Sequence, residues 1–171
     1  MFIMMFMWIG SSFDYFLINF QLKYIKGDFF LNNLVTSATE IPALILGGIS
    51  YQKLGIKFTL FTCFAISIVG GLCLSIWQNE VDVIPFMILG ARFGVTATFS
   101  ICYLANSQIF PTIYAGTVFG VCNLCAKIST IIAPELAEVD PPIPMICFCI
   151  IAGIAAALSL FIIPGKGHEE N

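Results

Sequence analysis

The sequence is short of charge. Of its 171 residues only 10% are Asp, Glu, Lys or Arg, where soluble domains carry roughly 25%. Its seven basic residues are scattered along the chain and form no patch that would neutralise a nucleic-acid backbone, so no nucleic-acid partner is expected. Histidine is almost missing: the single one, His168, stands in a polar tail, away from any cysteine. That leaves no ligand set for a metal, and none is expected. There is no phosphate-binding P-loop, no dinucleotide fingerprint and no nucleophile elbow. No nucleophile–base pair is visible either. The chain therefore reads as a non-enzyme, with no catalytic residue and no cofactor. Met1 opens an apolar run with no basic residues ahead of it, which predicts a membrane span rather than a cleaved leader.

What the chain does have is apolar length. Hydrophobic residues make up 59%, and the mean hydropathy is +0.98. Runs of about 17–25 mostly apolar residues mark membrane spans. Six are expected, at 1–22, 33–50, 58–77, 83–105, 117–134 and 145–163, forming one transmembrane domain over 1–163. A short polar tail, 164–171, follows. The runs lack period-two alternation, so the spans are helices and not barrel strands. The expected class is an all-α, multi-pass integral membrane protein with lipid around it. All seven cysteines (63, 73, 102, 122, 125, 147 and 149) fall inside apolar runs. Cys122 and Cys125 form a C-x-x-C without a second ligand pair, and read as small buried side chains.

The linkers predicted between the spans are a loop at 23–32, turns at 51–57 and 78–82, an elbow at 107–116 around Pro111, and an acidic, Pro-rich turn at 135–144. Six spans put both termini on one side. That side would hold Lys53, Lys57 and Lys166 against Lys23 and Lys26 opposite, so the termini are assigned to the cytoplasm.

Four charges fall inside the spans: Asp14, Glu40, Arg92 and Lys127. A charge at the centre of a span costs roughly 2.5–3.5 kcal/mol on insertion scales, and such residues usually face a bundle interior or a water-filled path. Counted along the helices at about 1.5 Å per residue, all four lie near the middle of a core about 30 Å thick. Two acids and two bases at one depth suit either ion pairs that lock helices together or a polar site between helices. Glu40 and Arg92 enter from the same face to similar depth and are expected to pair. Asn123 and Thr130, at i−4 and i+3 of Lys127, share its helix face and give it a polar stripe. Phe99, Tyr103 and Phe119 are the aromatic residues expected to wall a site around it.

Several blocks carry a resemblance. GARFGVTATF at 90–99, Tyr103-Leu104, Phe110-Pro111-Thr112, Gly120-Val121-Cys122 and Ile131-Ile132-Ala133-Pro134 resemble the C-terminal six-helix half of a major facilitator superfamily transporter. Leu31-Asn32-Asn33 and Glu40-Ile41-Pro42-Ala43 fit the same pattern. The family the chain is most similar to is the organic cation/anion/carnitine transporters, solute carrier family 22. That resemblance implies half of a twelve-helix bundle, with spans one to three related to four to six by a pseudo-two-fold axis. It implies that Lys127 contacts the substrate, since the family's anion carriers tend to have a basic residue there. It also implies a plasma-membrane address, with an organelle membrane as the alternative. The chain departs from the family at Gln108, where an acid is usual, and at Ala115, where an Arg is usual. Gln52 and Ile56 replace an acid and an Arg in the family's D-x-x-G-R-R turn.

Three readings follow. The chain is a secondary-transporter half for small organic ions, with organic anions or zwitterions favoured, and works with an N-terminal half supplied elsewhere. Alternatively it is a degenerate half-carrier serving as a structural subunit of a larger membrane complex. The third reading is a piece of a full-length transporter.

Overall fold

Apolar runs of this length have one common outcome in lipid, because a helix satisfies its own backbone groups. The computed structural model describes residues 1–24, 28–77 and 83–162, and every regular element among them is an α-helix. The helices are α1 (Phe2–Gln21), α2 (Phe29–Ile76), α3 (Ile84–Ile109), α4 (Thr112–Thr130), α5 (Ile132–Ala137) and α6 (Ile143–Ser159). By length and composition, α1, α2, α3 and the combined stretch Thr112–Ala137 are each sufficient to cross a membrane. Helix α6 is apolar but shorter, at 17 residues.

The helix starts have local causes. Asp28 caps α2, its carboxylate accepting from the backbone N–H of Phe30 at 2.8 Å and of Leu31 at 3.5 Å. Proline stands in the first turn of α3 and of α6, where its missing N–H costs nothing.

Helix α2 departs from the sequence expectation. Residues 33–77 read as two spans around a polar turn at 51–57, yet helix runs through that turn and breaks only at Gly55, where φ is 75°. The polar side chains there do not interrupt a helix, because Gln and Lys are good helix formers. Only the left-handed backbone at Gly55 does. The same holds at the elbow: 107–109 and 112–116 are helical, and the break is confined to Phe110-Pro111. The helical stretch after the elbow continues past 134 through α5 to Ala137, with a joint at Ile131. The turn at 78–82, Lys26 and the tail 164–171 lie outside the described residues.

Contacts give the direction of each segment. The first leg of α2 runs parallel to α3: Glu40 meets Arg92, Gly47 faces Ala97, and Tyr51 bonds Gln108. Its second leg runs antiparallel to α3, with Cys63 and Ser67 against Gly94 and Gly70 against Ala91. The chain therefore reverses at Gly55, and α2 is a helical hairpin. Helix α1 is antiparallel to α3, through Trp8 with Tyr103 and Tyr15 with Phe99. Helix α4 is antiparallel to α3 as well, through Tyr103 with Phe119 and Asn106 with the Ala115 carbonyl.

Small residues let α2 and α3 approach. A Cβ on Gly70 would stand 2.2 Å from the Ala91 backbone nitrogen, and one on Gly94 only 2.4 Å from the Cys63 carbonyl oxygen. Close backbone approach of this kind is the usual currency of helix packing in lipid, where apolar burial gives little drive. Helix α1 is central. Its buried residues, among them Met7, Trp8, Leu17 and Ile18, pack against both parts of the core. Large apolar side chains such as Phe30, Phe86 and Ile113 point outward, as a lipid-facing surface requires.

Candidate functional site

Three helices meet at Arg92. Its guanidinium is 2% exposed, and one terminal nitrogen reaches Glu40 Oε1 at 2.8 Å. The other donates to the backbone carbonyl of Tyr15 at 3.1 Å. The guanidinium carbon lies 4.0 Å from the centre of the Tyr15 ring. The Tyr15 hydroxyl closes the triangle, donating to the same Glu40 Oε1 at 2.9 Å. One carboxylate oxygen thus ties α1, α2 and α3 together. Charge-assisted bonds of this kind are the strong ones, and in a low-dielectric setting they outweigh neutral pairs. Glu40 is 39% exposed, so the triangle opens on one side of the bundle.

An aromatic strip leads away from it. Tyr15 stacks on Phe99 at 5.3 Å, and Phe99 meets Tyr103 edge-on at 5.1 Å. Tyr103 touches Trp8 at 4.5 Å and Phe119 at 5.4 Å, and Trp8 meets Phe119 at 5.1 Å. On the other side, Tyr15 meets Phe16 at 5.5 Å, and the Lys127 ammonium sits 4.7 Å from the centre of the Phe16 ring. The two span cations are thus separated by two rings, Tyr15 and Phe16. A cation over a ring gains roughly 0.5–2 kcal/mol, more as water is removed. Lys127 is exposed and, among the described residues, makes no ion pair.

The structure brings Glu40 and Arg92 into contact and gathers Phe99, Tyr103 and Phe119 into one strip. Asn123 is half-buried one turn before Lys127. Thr130 is half-buried too, but its hydroxyl bonds back to the Lys127 carbonyl at 2.8 Å. Asp14 stands apart. It shares a face of α1 with Gly10, which packs against Ala155 and Ile151 of α6, so it points away from the strip. The four charges expected at one depth therefore form a single pair, a lone cation and a separate acid.

Sequence reading missed Tyr15, Phe16 and Trp8. A signal was present: Trp8 and Tyr15 are seven apart, and Phe99 and Tyr103 four apart, each pair falling on one helix face. What the sequence did not carry was which faces meet.

Comparison with known proteins adds a relationship. The chain is similar to organic cation/carnitine transporter 2 of Homo sapiens, 25% identical over 163 residues that cover 91% of this chain and 29% of that protein. It is similar to solute carrier family 22 member 3 of Rattus norvegicus, 28% identical over 96% of this chain and 31% of that protein. It is likewise similar to solute carrier family 22 member 15 of Xenopus tropicalis, 28% identical over 95% of this chain and 32% of that protein. No family model matches. The chain spans about a third of the length of these relatives, which are transporters and not enzymes.

Proposed function

We propose that this chain, over most of its length a distant homologue of solute carrier family 22 transporters, acts as the C-terminal half of a secondary carrier for small organic ions. In this reading α2 crosses the membrane twice, about Gly55, and α6 crosses once. With α1, α3 and the stretch Thr112–Ala137 that makes six crossings over 1–163. Both termini are cytoplasmic.

One observation carries the substrate reading. An exposed ammonium, Lys127, which makes no ion pair among the described residues, sits at one end of an aromatic strip. An organic carboxylate next to that ammonium gains far more in a dry cleft than in water. The rings of Phe99, Tyr103 and Phe119 supply an apolar wall, and Asn123 and Thr130 add polar edges. This favours an organic anion or a zwitterion. In this reading a second helical body, either from another chain or from a longer form of this one, completes the walls of the site.

A second reading is favoured by a different observation. Tyr51 bonds Gln108, a neutral contact at a position where an acid is usual in the family. A half-carrier without gate charges would serve as a structural subunit of a larger membrane complex.

Reconstituting the chain in vesicles with whatever co-purifies, and measuring uptake of labelled organic anions, zwitterions and cations, separates the two. The carrier reading expects saturable uptake of anions or zwitterions. An intact assembly with no saturable uptake of any of these would leave the structural reading.

A further inference from the structure

Asp14 is the one span charge that the site above does not use. It is fully buried, at 0% exposure, near the middle of α1. Among the described residues neither carboxyl oxygen has a hydrogen-bond partner. The residue is fenced on both sides of the chain: Phe13 and Leu17 beside it are buried in the apolar core. Its neighbour Gly10, one turn back, packs on Ala155 and Ile151 of α6, which fixes the face Asp14 occupies.

Charged and titratable groups stand on every element packed against α1; Glu135 on α5 is a second acid, and the thiols of Cys102 on α3 and of Cys122 and Cys125 on α4 bring no positive charge. From α6 the Cys149 thiol is within electrostatic reach, but its own contact is to the Ile68 carbonyl at 3.8 Å. From α3, Arg92 is held by Glu40 and by the carbonyl of Tyr15. From α2, Glu40 is held by Arg92 and by the Tyr15 hydroxyl. From α4, Lys127 lies over Phe16. From the turn after α5, Glu138 meets Tyr24 at the exposed end of α1. Among the described residues, no cation pairs with Asp14.

An ionised carboxylate with neither countercharge nor donor is not sustained in such a place, and a buried group of this kind takes up a proton instead. We propose that Asp14 is a proton-binding site. Its carboxyl carries a proton while α6 is packed on α1, and releases it to water when that packing loosens. The ligand is the proton alone: an O–H bond breaks, the electron pair stays on the carboxylate, and nothing is oxidised. If the chain is a carrier, this site couples a proton to the movement of α6 against α1, and that extension rests on the reading above.

The binding claim needs no transport assay. Infrared spectra of the purified assembly in lipid, at pH 7, are expected to show a protonated-carboxyl stretch. Labelling the aspartates with carbon-13 should shift it, and Asp14→Asn should remove it. Asp14→Asn should also assemble like the parent, because an amide replaces a protonated acid in size and polarity. The proposal is overturned by the absence of a label-sensitive protonated band in the parent protein, or by its survival in Asp14→Asn. It is equally overturned if assembly fails in Asp14→Asn but holds in Asp14→Glu, which would mean that a carboxylate charge is required. In the same vesicles an inward proton gradient should change saturable uptake at least severalfold in the parent and not in Asp14→Asn. Gradient-insensitive uptake in the parent would remove the coupling, whereas absence of all uptake would remove the carrier reading and leave the infrared result to stand on its own.

Discussion

Arg92 has two polar partners and one ring, and they belong to two other helices. That makes its loss different from the loss of an apolar side chain. Removing Arg92 leaves Glu40 with only the Tyr15 hydroxyl, and removing Glu40 leaves a 2%-exposed cation with only a backbone carbonyl and a ring face. Breaking one side of a buried pair costs about 3–5 kcal/mol, while removing both charges together is often near neutral. Glu40 is partly open, so the lower end of that range applies here. Thermal unfolding in detergent of Glu40→Gln, Arg92→Gln and the double variant is expected to show a strongly non-additive cycle. The double variant should lie closer to the parent than Arg92→Gln does. Simple addition of the two single losses would mean that the contact carries no stability. A fourth variant, Tyr15→Phe, isolates the shared oxygen: it keeps the ring under the guanidinium and removes the hydroxyl, for an expected loss of about 1 kcal/mol.

At the scale of the elements, the tightest joint is between the second leg of α2 and α3. No Cβ fits at Gly94, where it would meet backbone atoms of Cys63 and Ser67, which cannot swing away as a flexible side chain would. Gly94→Ala is therefore expected to cost at least the 1–3 kcal/mol typical of over-packing. Gly48 is the control: nothing lies within 4 Å of a Cβ there, so Gly48→Ala is expected to be neutral or slightly stabilising. Equal effects of the two changes in a folded-yield and melting measurement would contradict the packing. Much of this level was legible in the sequence. The apolar runs at 1–22, 83–105 and 117–134 fall on α1, on α3 and on α4 with α5, because lipid-length hydrophobicity is a local signal, but α3 continues to Ile109 and the last stretch covers Thr112–Ala137. The ends were less legible. Residues 51–54 and 107–109 look like turns by polarity but remain helical, since backbone breaks follow Gly and Pro and not polar side chains alone. The contact of Glu40 with Arg92 followed from equal depth along two helices. The part of Tyr15 and the isolation of Asp14 did not, because both depend on how α1 is rotated between its neighbours, and residues beyond α1 decide that.

For the whole molecule, the alternating directions of the helices make a topology that labelling can test. A cysteine at Lys53, next to the Gly55 break, and one at Glu138, after α5, belong to opposite ends of the bundle. Impermeant thiol reagents are expected to reach them from opposite sides of the membrane. Labelling of both from one side would contradict six crossings. The arrangement also leaves one side of the bundle with a cation, an aromatic strip and an open carboxylate, and that side is where a carrier would meet its solute. Under the proposed function, Lys127 sets the sign of that solute. Charge reversal tests it most directly, because Lys127 is exposed and pairs with no acid among the described residues, so reversing its sign breaks no ion pair there and gives up only the contact with the Phe16 ring. The measurement is uptake of a labelled organic anion and a labelled organic cation by vesicles holding the parent assembly or Lys127→Asp, with the amount of assembled protein read in parallel. Normal assembly and at least a tenfold loss of anion uptake, the equivalent of about 1.4 kcal/mol, are expected in Lys127→Asp. Unchanged anion uptake, or collapse of the assembly on reversing that one charge, would contradict it.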